Sequence, residues 1–324
     1  MKHNFKYSII IPHYNRPQLL AKLLATIPKD PSIQVIVVDD NSTKDTTILT
    51  QVIQEDNRCE YYRNSSGHQS AGACRNEGLR HTTGEWVLFA DADDVFLPHF
   101  FETIQRFYTA KEDVILFMPT SIEEDTQMRS DRHILWEKAI EDYLTHKTPE
   151  NTAYLRYNFN PPWSKMIKRD LIETHQLTFA ETLVYNDLLF AAKLGCALRT
   201  FQVTKEQIYC VVKNKGSLST LRSQAVFDIR TQAFLECYCY LKEHLPKNEF
   251  RSIQTRGAQH LMEAHMNHLP IRQIWKIYRL FRKNKVKMIR SDYLNPIWLL
   301  KAITQRRTLR KTSEKCDTPF VPKS

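Results

Sequence analysis

Glycine is scarce in this chain, with seven residues in 324. Neither G-x-G-x-x-G nor G-x-x-x-x-G-K-[ST] occurs, which removes the backbone phosphate cradles of dinucleotide oxidoreductases and P-loop enzymes. Any phosphate chemistry must then use another device, and a divalent cation is the obvious one. Long apolar runs are missing as well. No segment approaches the roughly 18 uninterrupted apolar residues of a membrane span, and the chain passes from Met1 directly into a strand pattern without a secretion leader. The expectation is a cytoplasmic protein, soluble or peripheral on the inner face of the plasma membrane. The seven cysteines are odd in number and lack metal-like pairing, so they read as reduced thiols, with Cys237 and Cys239 packed on a helix.

Acids are missing where bases are dense. Residues 271–311 hold 13 Lys or Arg against the single acid Asp292, a segment charge of +12 in a chain of net charge +10. The remainder sits at −2, which excludes a general nucleic-acid-binding surface. All the basicity belongs to one C-terminal element.

Strand and helix patterns alternate through the first 118 residues. Apolar strands are expected at residues 7–12, 33–38, 60–62, 86–90 and 114–118. Between them lie helical patterns at 17–27, at 44–55, at 70–81 and at 98–110, the first with Pro17 in its opening turn and Leu19, Leu20, Leu23 and Leu24 on one face. This order implies right-handed crossovers and an α/β, Rossmann-like, mostly parallel sheet flanked by helices. Residues 122–161 look irregular, with one helix near 134–144. A strand at 163–168, a helix at 186–194 ending at Gly195, and a strand at 208–212 follow. After residue 222 the pattern is wholly helical, with Phe234, Tyr238, Leu241 and Leu245 in one stripe. The division expected is a catalytic domain over 1–221, a basic helical region over 222–312 and a disordered tail over 313–324.

The run EWVLFADADD, residues 85–94, delivers three carboxylates at the end of an apolar strand. Ligands bind at that edge of open α/β sheets. On an extended chain, Asp91 and Asp93 would point to the same side and could serve one oxygen-liganded ion such as Mg or Mn. The competing reading is a turn in which Asp94 caps the next helix.

Five ordered segments give the run a setting: SIIIPHYNR (8–16), VVDDNS (37–42), GHQSAGACRNEG (67–78), DADD (91–94) and YNDLLF (185–190), with PWSKMIKR (162–169) ahead of the last. In this order they resemble glycosyltransferase family 2, the inverting sugar transferases of GT-A fold, over about residues 7–220. The resemblance implies a nucleotide-sugar donor of the UDP-hexose class and a divalent metal, Mn or Mg. Pro12, Tyr14 and Asn15 would line the nucleotide pocket, Asp40 would accept from a uracil edge, Ser42 would belong to the same nucleotide-sugar site, and Arg75 and Asn76 would stand near sugar and phosphates. Asp93 would ligate the ion and Asp91 the ribose or the ion, with Asp94 mainly structural. Asp187 would be the general base; relatives usually carry Glu-Asp where this chain has Asn186 and Asp187. Lys213, Lys215, Ser217 and Ser219 occupy a loop that closes over the diphosphate in many relatives, with lysine here where arginine is frequent. His13 and His68 read as turn residues, and His260, His265 and His268 as ordinary helix residues rather than a zinc site.

The implied reaction adds one sugar to a lipopolysaccharide or capsule-type acceptor, free or lipid-linked. Processive synthesis is disfavoured, since Q-x-x-R-W and membrane-crossing segments are lacking. Two alternatives stay open: a sugar nucleotidyltransferase, which normally has a glycine-rich loop where residues 8–16 have none, and a membrane-associated adaptor on a degenerate scaffold, against which Asp93 and Asp187 speak. Ile271, Ile274, Trp275, Tyr278, Leu280 and Phe281 interleave with Arg272, Lys276, Arg279 and Arg282, a pattern that suits either an anionic membrane surface or packing on the catalytic domain; residues 296–303 continue it.

Overall fold

The computed structural model describes residues 5–214, 223–253 and 257–288. Ten strands and twelve helices are defined among them. The first part runs β1 (Tyr7–His13), α1 (Pro17–Ala25), β2 (Ile33–Asp39), α2 (Thr46–Glu55), β3 (Cys59–Arg63), α3 (Ala71–Leu79) and β4 (Trp86–Phe89). It continues through β5 (Val95–Phe96), α4 (Phe100–Arg106), β6 (Val114–Phe117), β7 (Thr120–Glu123), α5 (Ile134–Thr145), α6 (Pro149–Asn158), β8 (Lys165–Lys168) and α7 (Arg169–Thr174). Then come α8 (Leu188–Ala197), β9 (Phe201–Thr204), β10 (Tyr209–Lys213), α9 (Gln224–His244), α10 (Lys247–Ser252), α11 (Gly257–Met266) and α12 (Ile271–Lys283).

Seven strands form one sheet in the order β3-β2-β1-β4-β8-β6-β9. Strands β1 to β4 pair in parallel, as do β6 and β9. The strand β8 runs against both neighbours, with Val87 opposite Ile167 and Ile115 opposite Met166. This reversal puts the start of β8 beside the C-terminal end of β4. The sheet is buried on both faces: Ile9, Ile11, Val35 and Val37 pack with α1 and α2, while Ile10, Ile36, Val38 and Phe89 pack toward α3 and α8. Double-sided burial is why these strands read as continuous apolar runs instead of alternating ones. A smaller sheet, β5-β10-β7, stands above the C-terminal edge.

The structure corrects several sequence expectations. Residues 122–161 hold two helices and the end of β7 instead of one helix in irregular chain. Gly195 does not end α8, which continues to Ala197; a Cβ there would lie 2.3 Å from the Arg156 carbonyl oxygen, so this glycine lets α6 and α8 touch. The helices after 222 pack on the body through α8 and α9, in a third core that joins Tyr157 and Ala192 to Phe227, Tyr238, Leu241 and Phe281. The six described cysteines are free. The expected helix at 296–303 and the tail lie outside the described residues.

Candidate active site

Two loops at the C-terminal edge brace each other. Asn15, in the left-handed region at φ 55°, accepts from the backbone amides of Thr43 and Lys44 through Oδ1 at 2.8 and 2.9 Å, and its own amide donates to Ser42 Oγ at 2.8 Å. Ser42 Oγ in turn donates to Asp39 Oδ1, which also lies 2.9 Å from His13 Nδ1. Burial would push the Asp39 carboxyl up, but the bonds from His13 and Ser42 outweigh it and hold it below its ordinary value. The side chains of Asn15 and Ser42 therefore brace the loops that border the expected nucleotide pocket. His13 is the last residue of β1, opposite Asp39 of β2, and not the turn residue that the sequence implied. Pro12 is the penultimate residue of β1, and Tyr14, just past the strand, is exposed.

Asp40 is buried next to this brace and accepts from Asn64 Nδ2 at 2.6 Å. Burial raises its pKa, opposed by hydrogen bonds from Asn64, Cys74 and the Ser70 amide.

The helix α3 starts at Ser70, whose Oγ accepts from the Ala73 amide. Gly72 makes the next contact possible: a Cβ would stand 2.1 Å from Ala180 O and 2.9 Å from Asn186 Cβ. This close approach lets Arg75 reach two ways, to Asn186 Oδ1 at 2.9 Å and to Asp91 Oδ1 at 2.5 Å. Its Nε is buried without a protein partner. Asn76 does not face this space. Its amide is consumed by Phe179 N, Phe179 O and Glu181, so it clamps the segment leading to Asp187 instead of meeting a donor, contrary to expectation.

Asp91, Ala92, Asp93 and Asp94 form a turn, closed by the Asp94 amide on Asp91 O at 3.0 Å, and not the extended segment that would place the first two carboxylates side by side. Asp94 is buried, accepting from Tyr209 Oη and the Val212 amide, both at 2.8 Å. It fastens β10 to the end of β4 and caps no helix. Asp91 and Asp93 keep about a third of each side chain exposed. Asp93 Oδ2 lies 3.4 Å from Arg16 and 3.3 Å from Asn214 Nδ2. Burial raises the Asp93 carboxyl, and the charge of Asp91 raises it further. Both carboxylates offer oxygen donors, the kind a hard divalent cation takes, while Arg75 and Arg16 now occupy one oxygen of each. Among the described residues no group of three or more His, Cys, Asp or Glu is arranged for a metal, so such an ion would need oxygens from a ligand and water to complete its shell. The donor set thus fits an ion carried in with a phosphorylated substrate.

Asp187 stands at the start of α8 with its side chain making no cap hydrogen bond. Burial raises its pKa; Arg75 and Lys165 oppose this, and Asp91 adds to it. Lys165 is itself buried in β8, donating to Phe159 O, and its pKa falls to about 7 through burial, moderated by Asp187. Lys213 is spent elsewhere, on Glu123 at 2.8 Å and Asp131 at 3.0 Å, which corrects its expected place over a diphosphate. Lys215, Ser217 and Ser219 lie outside the described residues.

Arg16, Asn186, Asn214 and Tyr209 complete the site without having been singled out. Arg16 and Asn186 fall inside the ordered segments and Asn214 inside the loop that begins at Lys213, which is the available signal; Tyr209 carries none. A broad groove at the opposite edge, bordered by Glu85, Tyr108, Asp113, Lys168 and Arg199, is not part of this constellation, and its Arg199 is paired with Asp113.

A glucosyltransferase of Campylobacter jejuni, described as GalNAc(5)-diNAcBac-PP-undecaprenol beta-1,3-glucosyltransferase, is 36% identical over 104 residues, covering 31% of this chain and 34% of that protein. The chain thus spans about a third of that relative's length. Putative glycosyltransferase EpsH of Bacillus subtilis is 22% identical over 255 residues, 75% of this chain and 71% of its own. In structure, S. aureus TarS 1-349 in complex with UDP-GlcNAc superposes with TM-score 0.61 at 20% identity, over 79% of this chain and 72% of that one. The mannosyltransferase PcManGT of Pyrobaculum calidifontis, in complex with GDP-Man and Mn2+, gives 0.54 at 13% identity over 97% and 85%. These likenesses establish the GT-A fold. The sequence model of Glycosyl transferase family 2 matches residues 8–175, more than half of the chain, which therefore belongs to glycosyltransferase family 2.

Proposed function

We propose that the chain is an inverting, metal-dependent glycosyltransferase that moves one sugar from a nucleotide donor of the UDP-hexose class to a lipopolysaccharide or capsule-type glycan. The observation carrying this reading is the line Asp91, Arg75, Asn186, which runs from the acidic turn to the residue before an uncapped Asp187. A carboxylate kept near the acidic turn yet free of helix capping is what inversion requires. The acceptor hydroxyl loses its proton to Asp187 as its oxygen bonds to the anomeric carbon, and the carbon–oxygen bond to the diphosphate breaks with its electron pair going to phosphate. A raised Asp187 pKa brings the base closer to neutrality, where proton transfer is best matched.

Asp40 would accept from the uracil edge, with Pro12 and Tyr14 as walls of the base pocket. Arg75 would orient Asp91 toward the ribose, and its unpartnered Nε, like the buried Asn214 Oδ1, offers a polar atom for a ligand. A divalent cation, Mn or Mg, held by Asp93 and approached by Asp91, would stabilise charge on the departing diphosphate. The names of relatives support the donor and acceptor classes: TarS binds UDP-GlcNAc, and the Campylobacter enzyme is described with a PP-undecaprenol-linked glycan. Residues 1–221 would form the catalytic unit and 222–312 an attachment region. No helix of the described residues is long and apolar enough to cross a membrane, so we place the protein peripherally, on the cytoplasmic face where a lipid-linked acceptor would be presented.

A thermal-shift panel of nucleotide sugars with and without Mn tests the reading, because a ligand that binds only the folded state raises its apparent stability. UDP-sugars with Mn are expected to give the largest rise, followed by UDP release with acceptor. No shift with any nucleotide sugar would refute it.

A further inference from the structure

The helix α12 has two working sides. Ile277 and Phe281 are buried, and the Phe281 ring sits 5.2 Å from Phe234 and 5.6 Å from His260, centroid to centroid. That edge is committed to the protein's own core. On the other side Ile271 is 69% and Trp275 57% exposed, a turn apart on one face. Around them Arg272, Lys276, Arg279, Arg282 and Lys283 are all exposed, and α12 contains no acid. Among the described residues none of these five cations has an ion-pair partner. Lys285 and Lys287 follow, also exposed.

A helix that only covered the core would need one apolar stripe and a mixed-charge outer face. This one has an exposed tryptophan and isoleucine bordered by cations that have no ion-pair partner among the described residues, and the buried Phe281 edge prevents it from rolling them inward. We infer that the outward face of α12, with Trp275 and Ile271 at its centre, is a docking surface for an anionic lipid bilayer. The apolar pair enters the boundary between headgroups and acyl chains while the cations meet lipid phosphates. Charge complementarity selects that occupant over a protein groove: a groove would bury the cations and demand acids in return. The inference deepens the transferase reading by naming the surface that brings the site to a lipid-linked acceptor.

Sedimentation of the full chain with vesicles tests it, using phosphatidylglycerol mixed with phosphatidylcholine against phosphatidylcholine alone. Binding is expected on the anionic vesicles only, weakening as salt rises. Each removed cation should lower the partition about fivefold, the equivalent of about 1 kcal/mol, so R272E/K276E/R279E should lower it by more than roughly a hundredfold. Trp275→Ala should lower it roughly tenfold and abolish a blue shift of fluorescence seen on adding vesicles. The nucleotide-sugar thermal shift of each variant should match the parent, which establishes folding. Failure of the full chain to pellet with anionic vesicles at low salt would overturn the proposal, as would undiminished binding by the triple variant, or retention on heparin or RNA without retention on vesicles. A chain that pellets but answers to no nucleotide sugar would leave the docking surface standing and defeat the transferase reading instead.

Discussion

Arg75 joins Asp91, at the end of β4, to Asn186, the residue before Asp187, through one guanidinium. The two carboxylates assigned to opposite ends of the reaction are thereby referenced to a single rigid group on α3. Gly72 sets how closely that helix approaches.

Replacing Asp187 with Asn should therefore remove the base without disturbing this frame. Transfer is expected to fall about 10²- to 10⁴-fold, with the dissociation constant for UDP within about twofold of the parent by calorimetry. A variant that still turns over at the parental rate would exclude Asp187 as base.

Arg75→Met should act on both carboxylates. Asp187 is raised by burial and held down by Arg75, so removing the guanidinium raises it further. Activity needs the ionised form and is lost as pH falls through this pKa. The acid limb of the kcat/KM profile should consequently move to higher pH; an unmoved limb with lowered kcat would mean that Arg75 acts only on Asp91.

Gly72→Ala should be costly despite its small size, because the new methyl meets the Ala180 carbonyl and the Asn186 Cβ rather than a yielding side-chain tip. Overpacking of this kind costs about 1–3 kcal/mol. Chemical denaturation should show that loss together with reduced transfer, as Arg75 is carried away from its partners.

Asp39 gives a stability prediction whose sign is fixed. Its pKa is lowered in the fold, so its contribution is present above the ordinary carboxylate value near 4 and is lost as pH falls through the lower folded value. Asp39→Asn should lower Tm at pH 7, by an amount on the order of 1–3 kcal/mol in stability, and flatten the decline of Tm between neutral pH and pH 3. A parallel decline in parent and variant would count against the brace.

Metal removal should separate the two acidic residues from the aspartate beneath them. EDTA and Asp93→Asn are each expected to abolish transfer and weaken UDP binding while leaving Tm without ligand unchanged. Asp94→Asn should instead lower Tm with or without metal, since Asp94 holds Tyr209 and the Val212 amide.

Much of the sheet was legible because burial on both faces writes strands such as β1 and β2 as unbroken apolar runs. The direction of β8 was not, since a four-residue strand reads the same either way. The acidic turn was legible as a cluster, but its shape was not: besides its own closing bond, it is held by contacts of Asp91 and Asp94 with β10, more than a hundred residues on. Asn76, Ser42 and Lys213 were placed by motif position, and the structure gives each a protein partner that position alone could not reveal. Asn214 and Arg16 reach Asp93 through tertiary proximity, for which a single polar residue in a loop carries no periodic signature.

The reversed strand has one more consequence. The excursion that leaves the sheet at Phe117 and re-enters at Lys165 begins and ends in adjacent strands. Between those ends β7 pairs with β10 and α6 lies against α8 at Gly195, so the excursion is tied both to the strand that Asp94 holds and to the helix that Asp187 precedes. A change of length in that excursion would therefore be felt at both β10 and α8, and shortening α6 would leave Gly195 and Ala192 without their packing partners.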